Sequence, residues 1–217
     1  METFSEHLRE EAEGIWQVIF HHPFLREIED GTLPEEKFRY YLSQDYHYLD
    51  AFAKAVGLVL AKAPDASTLQ LLAQRVLRPV EKPLHKKLLE LLGVDPLSVE
   101  RTLLAPTNLA YMNHLLVTAA LGGLSEVAAA LLPCPWTYHE IGKRLGEVKH
   151  PVYGEWAAFY ASGFLTESVE AWQALVDRAG AQASPTEREA MMEAFLLSSR
   201  YEYLFWEMAY RMESWPV

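Results

Sequence analysis

The chain has 217 residues, half of them apolar, and 19 Lys+Arg against 30 Asp+Glu give a net charge of −11. That length suits one large domain with a sizeable core and excludes wholesale disorder, and the acidic balance excludes direct nucleic-acid binding and argues against an anionic membrane surface. The single cysteine, Cys134, excludes a disulfide framework and any multi-cysteine metal centre.

In chain order, the polar start Met1 to Gly14 lacks the pattern of a signal peptide, and a first helix is expected from about Ser5 to Phe20. Asp30-Gly31-Thr32-Leu33-Pro34 reads as a turn, with Pro34 as the first residue of a long helix that runs to about Ala63 and stops at Pro64. A third helix is expected from about Ser67 to Leu92, disturbed by Pro79 and Pro83 and ended by Gly93. Further helices are expected over Thr107–Leu121, Ser125–Leu132, Trp136–Glu147, Pro151–Tyr160 and Ser168–Arg178, and a last one from near Ser184 to about Glu213. No apolar run approaches the ~20 residues of a membrane span, and strand alternation is nearly absent. The pattern implies an all-α bundle.

Helical phase singles out two acids. On the long second helix Phe38, Tyr41, Leu42, Tyr48, Leu49, Phe52, Val56, Val59 and Leu60 form one apolar stripe, and Asp45 sits in its middle. On the last helix the stripe is Met191, Phe195, Phe205, Ala209 and Met212, with Ser198 and Glu202 filling the missing turns. A buried charge costs several kcal/mol unless paired or neutralised. Each acid is therefore either tied to a tyrosine or backbone group, or part of a polar site suited to acid/base work. Cys134, between Pro133 and Pro135, is expected near a helix N-cap, where the dipole would lower a thiol pKa; the alternative is an inert buried cysteine.

Four segments then carry a resemblance. His21 to Ala55 (HHPFLREIEDGTLPEEKFRYYLSQDYHYLDAFAKA), Leu131 to Leu145 (LLPCPWTYHEIGKRL), His150 to Leu165 and Tyr201 to Tyr210 (YEYLFWEMAY) resemble, in order and spacing, the blocks of the TenA family, thiaminase II. The resemblance covers nearly the whole chain and implies a single heme-oxygenase-like helical domain over residues 1–217. It implies a cytoplasmic homotetramer of thiamin salvage, needing no cofactor, that hydrolyses aminopyrimidines at their exocyclic methylene. Substrates of the family are thiamin and 4-amino-5-aminomethyl-2-methylpyrimidine, and the product is the hydroxymethylpyrimidine. By the same resemblance Cys134 is the nucleophile, Glu202 the acid/base and Asp45 the holder of the aminopyrimidine. Tyr48 tunes the cysteine, and Tyr111, Tyr138 and Tyr160 contact the substrate. Phe205 would add a ring face. Ala161-Ser162-Gly163-Phe164, Pro135 and His139 depart from common family residues and bear on pocket shape.

Three rivals have less behind them. Glu81 and His85 have the i, i+4 spacing of a metal pair, but Pro83 lies between them and the last helix has no histidine, so they read as a structural or pocket-supporting pair with no metal. His7, His21 and His22 would be heme ligands by fold analogy alone and read as solvated or capping residues. A regulatory, pyrimidine-binding role would not involve direct DNA contact at this charge.

Overall fold

In the computed structural model, residues 2–77 and 81–217 are described. The helices among them are α1 (Phe4–Glu11), α2 (Glu13–Phe20), α3 (Pro23–Asp30), α4 (Glu35–Leu60), α5 (Ala66–Leu77), α6 (Glu81–Leu91), α7 (Pro96–Val99), α8 (Pro106–Leu121), α9 (Leu124–Leu131), α10 (Pro133–Arg144), α11 (Pro151–Ala161), α12 (Thr166–Gln182) and α13 (Pro185–Arg211). No strand occurs among the described residues.

Several boundaries differ from the sequence expectation for identifiable reasons. The expected first helix breaks at Ala12, which caps both α1 and α2. The segment Pro23–Asp30, not anticipated as a helix, is α3: the ring of His22 accepts from the Phe24 amide, Pro23 opens the helix, and Gly31 closes it at φ 72°. Pro34 is the N-cap of α4 rather than its first residue. The expected Ser67–Leu92 helix is two helices, with Pro83 tolerated in the first turn of α6; Pro79 lies outside the described residues. The last helix begins with a reciprocal capping box between Ser184 and Glu187.

The two longest helices, α4 and α13, pack against each other, and α8, α9 and α10 complete the wall around them. Their apolar stripes form a core with Trp16, Trp156, Trp172 and Trp206 fully buried. Of the stripe expected on the last helix, Met212 alone falls outside the core, since it ends α13 in the left-handed region (φ 49°), and on α4 Leu49, Phe52 and Leu60 are only partly buried. Gln44 stitches α4 to α8: its amide donates to the Leu103 carbonyl and its oxygen accepts from the Ala105 amide and from Asn108.

α10 and α11 touch backbone to backbone at Gly142, where a Cβ would overlap the carbonyl of Tyr160. Gly142→Ala is expected to cost about 2–3 kcal/mol, because backbone cannot yield as a side chain can. Urea denaturation measures this, and a loss under 1 kcal/mol would show that the two helices separate freely.

Candidate active site

Five helices bring the predicted residues to one place, with Tyr41 beside them. Asp45, Tyr48 and Tyr41 come from one face of α4, Tyr111 from α8, Cys134 and Tyr138 from α10, Tyr160 from α11, and Glu202 and Phe205 from α13. Every one is buried, and the two acids picked out by helical phase, Asp45 and Glu202, are only 4% and 3% exposed.

Each acid has its own partners. Glu202 accepts a 2.6 Å bond from the Tyr111 hydroxyl and a 3.3 Å bond from the Thr137 hydroxyl. Burial raises its pKa to about 8, helped by Asp45 and Glu81 and opposed by those two hydroxyls. Asp45 lies 3.0 Å from Nε2 of the fully buried His85, at ion-pair distance but without hydrogen-bond alignment. Glu81 accepts 2.8 Å from the Tyr160 hydroxyl, and burial and Asp45 push its pKa up. The Glu81/His85 pair thus belongs to the site itself. Tyr138 shares a 3.0 Å hydroxyl contact with Tyr41, and the Tyr48 ring packs on Tyr111 and Phe205.

Cys134 does not sit at an open N-cap. It is the second residue of α10, and α9 runs into α10 through Leu132, which keeps helical angles (φ −62°, ψ −38°). The Leu132 amide donates to Ala128 and the Trp136 amide to Leu132, while Pro133 and Pro135 have no amide hydrogen to offer. The Leu132 and Trp136 amides are thus already engaged, and the two prolines offer none. Burial pushes the thiol up instead, Glu202, Glu81 and Asp45 add to the rise, and the Tyr48 hydroxyl opposes it.

A cavity of about 180 Å3 reaches this cluster from α12, walled by Phe52, Phe164 and Trp172 and ending at Cys134 and Glu81. Asp45 and Glu202 do not line it. The sequence reading passed over Tyr41 and Thr137. Tyr41 counted only as a stripe residue. Thr137 had a signal available, since it lies three residues past Cys134 on the same helical face. The histidines suggested by heme analogy lie elsewhere, with His22 capping α3 and held 3.0 Å from Glu207.

The model of the TENA/THI-4/PQQC family matches residues 9–212. The chain belongs to this family. It is 37% identical to the aminopyrimidine aminohydrolase of Bacillus subtilis, over 98% of this chain and 92% of that protein. It is 35% identical to the aminopyrimidine aminohydrolase of Halalkalibacterium halodurans, over 98% of each. Among solved structures, a TenA homologue from P. horikoshii superposes with a TM-score of 0.85 at 32% identity, covering 97% of this chain and 99% of that one. The fold is heme-oxygenase-like: a domain described by that fold, from Shewanella denitrificans, superposes at a TM-score of 0.76 with 14% identity, covering 95% of this chain and 91% of that one.

Proposed function

We propose that this protein is an aminopyrimidine hydrolase of thiamin salvage, cleaving the bond between the exocyclic methylene of a 4-amino-2-methylpyrimidine and its leaving nitrogen. Water and 4-amino-5-aminomethyl-2-methylpyrimidine give the hydroxymethylpyrimidine and ammonia; thiamin would be cleaved at the same carbon. The observation that carries the reading is the convergence of Cys134, Glu202 and Asp45, all buried, with Cys134 lining a cavity.

In this mechanism Asp45 receives the amidine-like edge of the pyrimidine, with His85 Nε2 3.0 Å from its carboxylate. The Cys134 thiol adds across a C=N bond of the electron-poor ring, sulfur to carbon and proton to the ring nitrogen, which drives the leaving group from the methylene carbon. Glu202, held protonated by burial, gives its proton to the departing nitrogen. It then takes a proton from water as that water adds to the methylene, and the ring expels the sulfur, which recovers its proton from the ring nitrogen as the Cys134 thiol. Tyr48 meets the thiol, Tyr111 orients Glu202, and Tyr138, Tyr160 and Phe205 enclose the flat ring. The proposal includes the family's homotetramer and a cytoplasmic setting. No helix among the described residues is long and apolar enough to cross a membrane.

The purified protein incubated with each substrate is expected to release hydroxymethylpyrimidine, followed by chromatography. Absence of product from both thiamin and the aminomethylpyrimidine would overturn the proposal.

A further inference from the structure

Resting on that reading, we propose that Thr137 is a positioning residue for Glu202: its one hydroxyl hydrogen turns from the Cys134 carbonyl to Glu202 Oε2 whenever that carboxyl gives up its proton. The acid/base thus has a fitted partner in each of the two states that the mechanism requires. Thr137 is fully buried, one turn after Cys134 on α10. Its Oγ1 lies 3.1 Å from the Cys134 carbonyl oxygen and 3.3 Å from Glu202 Oε2. A hydroxyl has one hydrogen and two acceptor lone pairs, so it donates to one of these oxygens at a time.

Tyr111 decides which carboxyl oxygen is involved. Its hydroxyl donates to Oε1 at 2.6 Å, so the proton of neutral Glu202 sits on Oε2, facing Thr137. In that acid form Oε2–H donates to Oγ1, and the threonine hydrogen rests on the Cys134 carbonyl. Once the proton has passed to the departing nitrogen, Oε2 carries charge in a buried site and faces an oxygen lone pair, which is unfavourable. Rotation about the Cβ–Oγ1 bond turns the hydrogen to Oε2 and removes that conflict. The Cys134 carbonyl, inside α10, still receives its helical amide bond. When Glu202 takes a proton from water, the hydroxyl turns back. The side chain itself stays in place, because a β-branched residue in a helix is stiff at χ1 and the bond to the carbonyl three residues back fixes its rotamer. The ionisable groups acting on Glu202 from neighbouring helices are Asp45 and Tyr48 of α4, Glu81 of α6, Tyr111 of α8, and Cys134 and Tyr138 of α10. Asp45 and Glu81 oppose a charge there, whereas the Tyr111 and Thr137 hydroxyls favour it. His114 of α8 bonds Ser198, one turn earlier on α13.

Thr137→Val keeps the shape and removes the hydroxyl, Thr137→Ala removes it without adding a methyl, and Thr137→Ser retains it. Infrared difference spectra of the free protein, read against Glu202→Gln, follow the carbonyl stretch of the protonated carboxyl as pH rises. Burial sets the wild-type value at about 8. Loss of a donor to the ionised form is expected to raise it by about one pH unit in the valine and alanine variants, with the serine variant close to wild type. On the aminomethylpyrimidine, kcat of the two hydroxyl-free variants is expected to fall about tenfold with KM changed less than about twofold, and serine to recover most of the rate. Thermal melts identify a variant that fails to fold, and either hydroxyl-free variant suffices. A hydroxyl-free variant that titrates at the wild-type pH, or a serine variant displaced as far as valine, would overturn the proposal. If wild type hydrolyses neither the amine nor thiamin, the hydrolase reading fails while the titration still decides the role of Thr137.

Discussion

Cys134→Ser is expected to lower kcat on the aminomethylpyrimidine by on the order of 10^3-fold or more, as loss of a covalent nucleophile does elsewhere. Binding of the hydroxymethyl product should change little, because the proposed mechanism gives the pyrimidine edge to Asp45 on another helix. A serine variant that retains full rate would remove the nucleophile assignment while leaving hydrolysis in place. The resting thiol has an unusual character for this role. Burial and the acids Glu202, Glu81 and Asp45 all hold it in the protonated form. Alkylation of the free enzyme by iodoacetamide at pH 7 should accordingly run slower than alkylation of free cysteine. On the proposed mechanism the thiol gives up its proton only as it adds to the bound ring. A faster reaction than free cysteine would show an activated thiol and contradict the geometry at Leu132.

Glu202→Gln is expected to reduce kcat by about 10^2- to 10^4-fold, the range that a positioned acid/base contributes, while changing substrate Kd far less. An equal loss in both would contradict a role confined to the transition state. The wild-type kcat should fall as pH rises through about 8, the pKa to which burial lifts this carboxyl, and the variant should lack that limb. Stability shows the reverse side of the same shift. The folded pKa of about 8 lies above the ordinary 4.5, so the folded state keeps a proton that the unfolded chain releases between those values. Wild-type stability therefore declines as pH climbs from 4.5 toward 8. Glutamine carries no such penalty, and the variant should gain on wild type across that window by on the order of a few kcal/mol. Denaturant curves at pH 5 and pH 8 measure the gap, and parallel pH profiles would show that Glu202 is already ionised in the folded protein.

The acids Asp45 and Glu202 were legible because burial on a helix has a period, and a carboxylate in an apolar stripe breaks it. The same logic placed α4, α8, α11 and α13 close to their observed bounds. Glu81 and His85 stood out by i, i+4 spacing rather than by phase, which left open whether they were structural or supported the pocket; packing of α6 against α4 and α11 places them at the site. Thr137 and Tyr41 look like ordinary helix residues until the opposing helix supplies their hydroxyl partners. The environment of Cys134 was misread because the sequence shows two prolines but not the dihedral angles of Leu132. A proline pair reads as the start of a helix, whereas here the chain arrives already helical. The break at Ala12 has a similar origin, with no glycine or proline marking it at the cap.

The joint at Leu132 also bears on how this enzyme can change over generations. The thiol rides on backbone that is held by its neighbours' hydrogen bonds, and its own side chain meets the Tyr48 hydroxyl. Position 134 can therefore lose its sulfur without unpicking the bundle. Selection at that position acts on reactivity, within the space that a small side chain fills in the core. Gly142, two turns along the same helix, is in the opposite situation, answerable to the packing of α11 and indifferent to chemistry. One helix thus carries an interchangeable reactive position and a fixed structural one, and new activities in this scaffold have room to arise at the first while the second keeps the architecture.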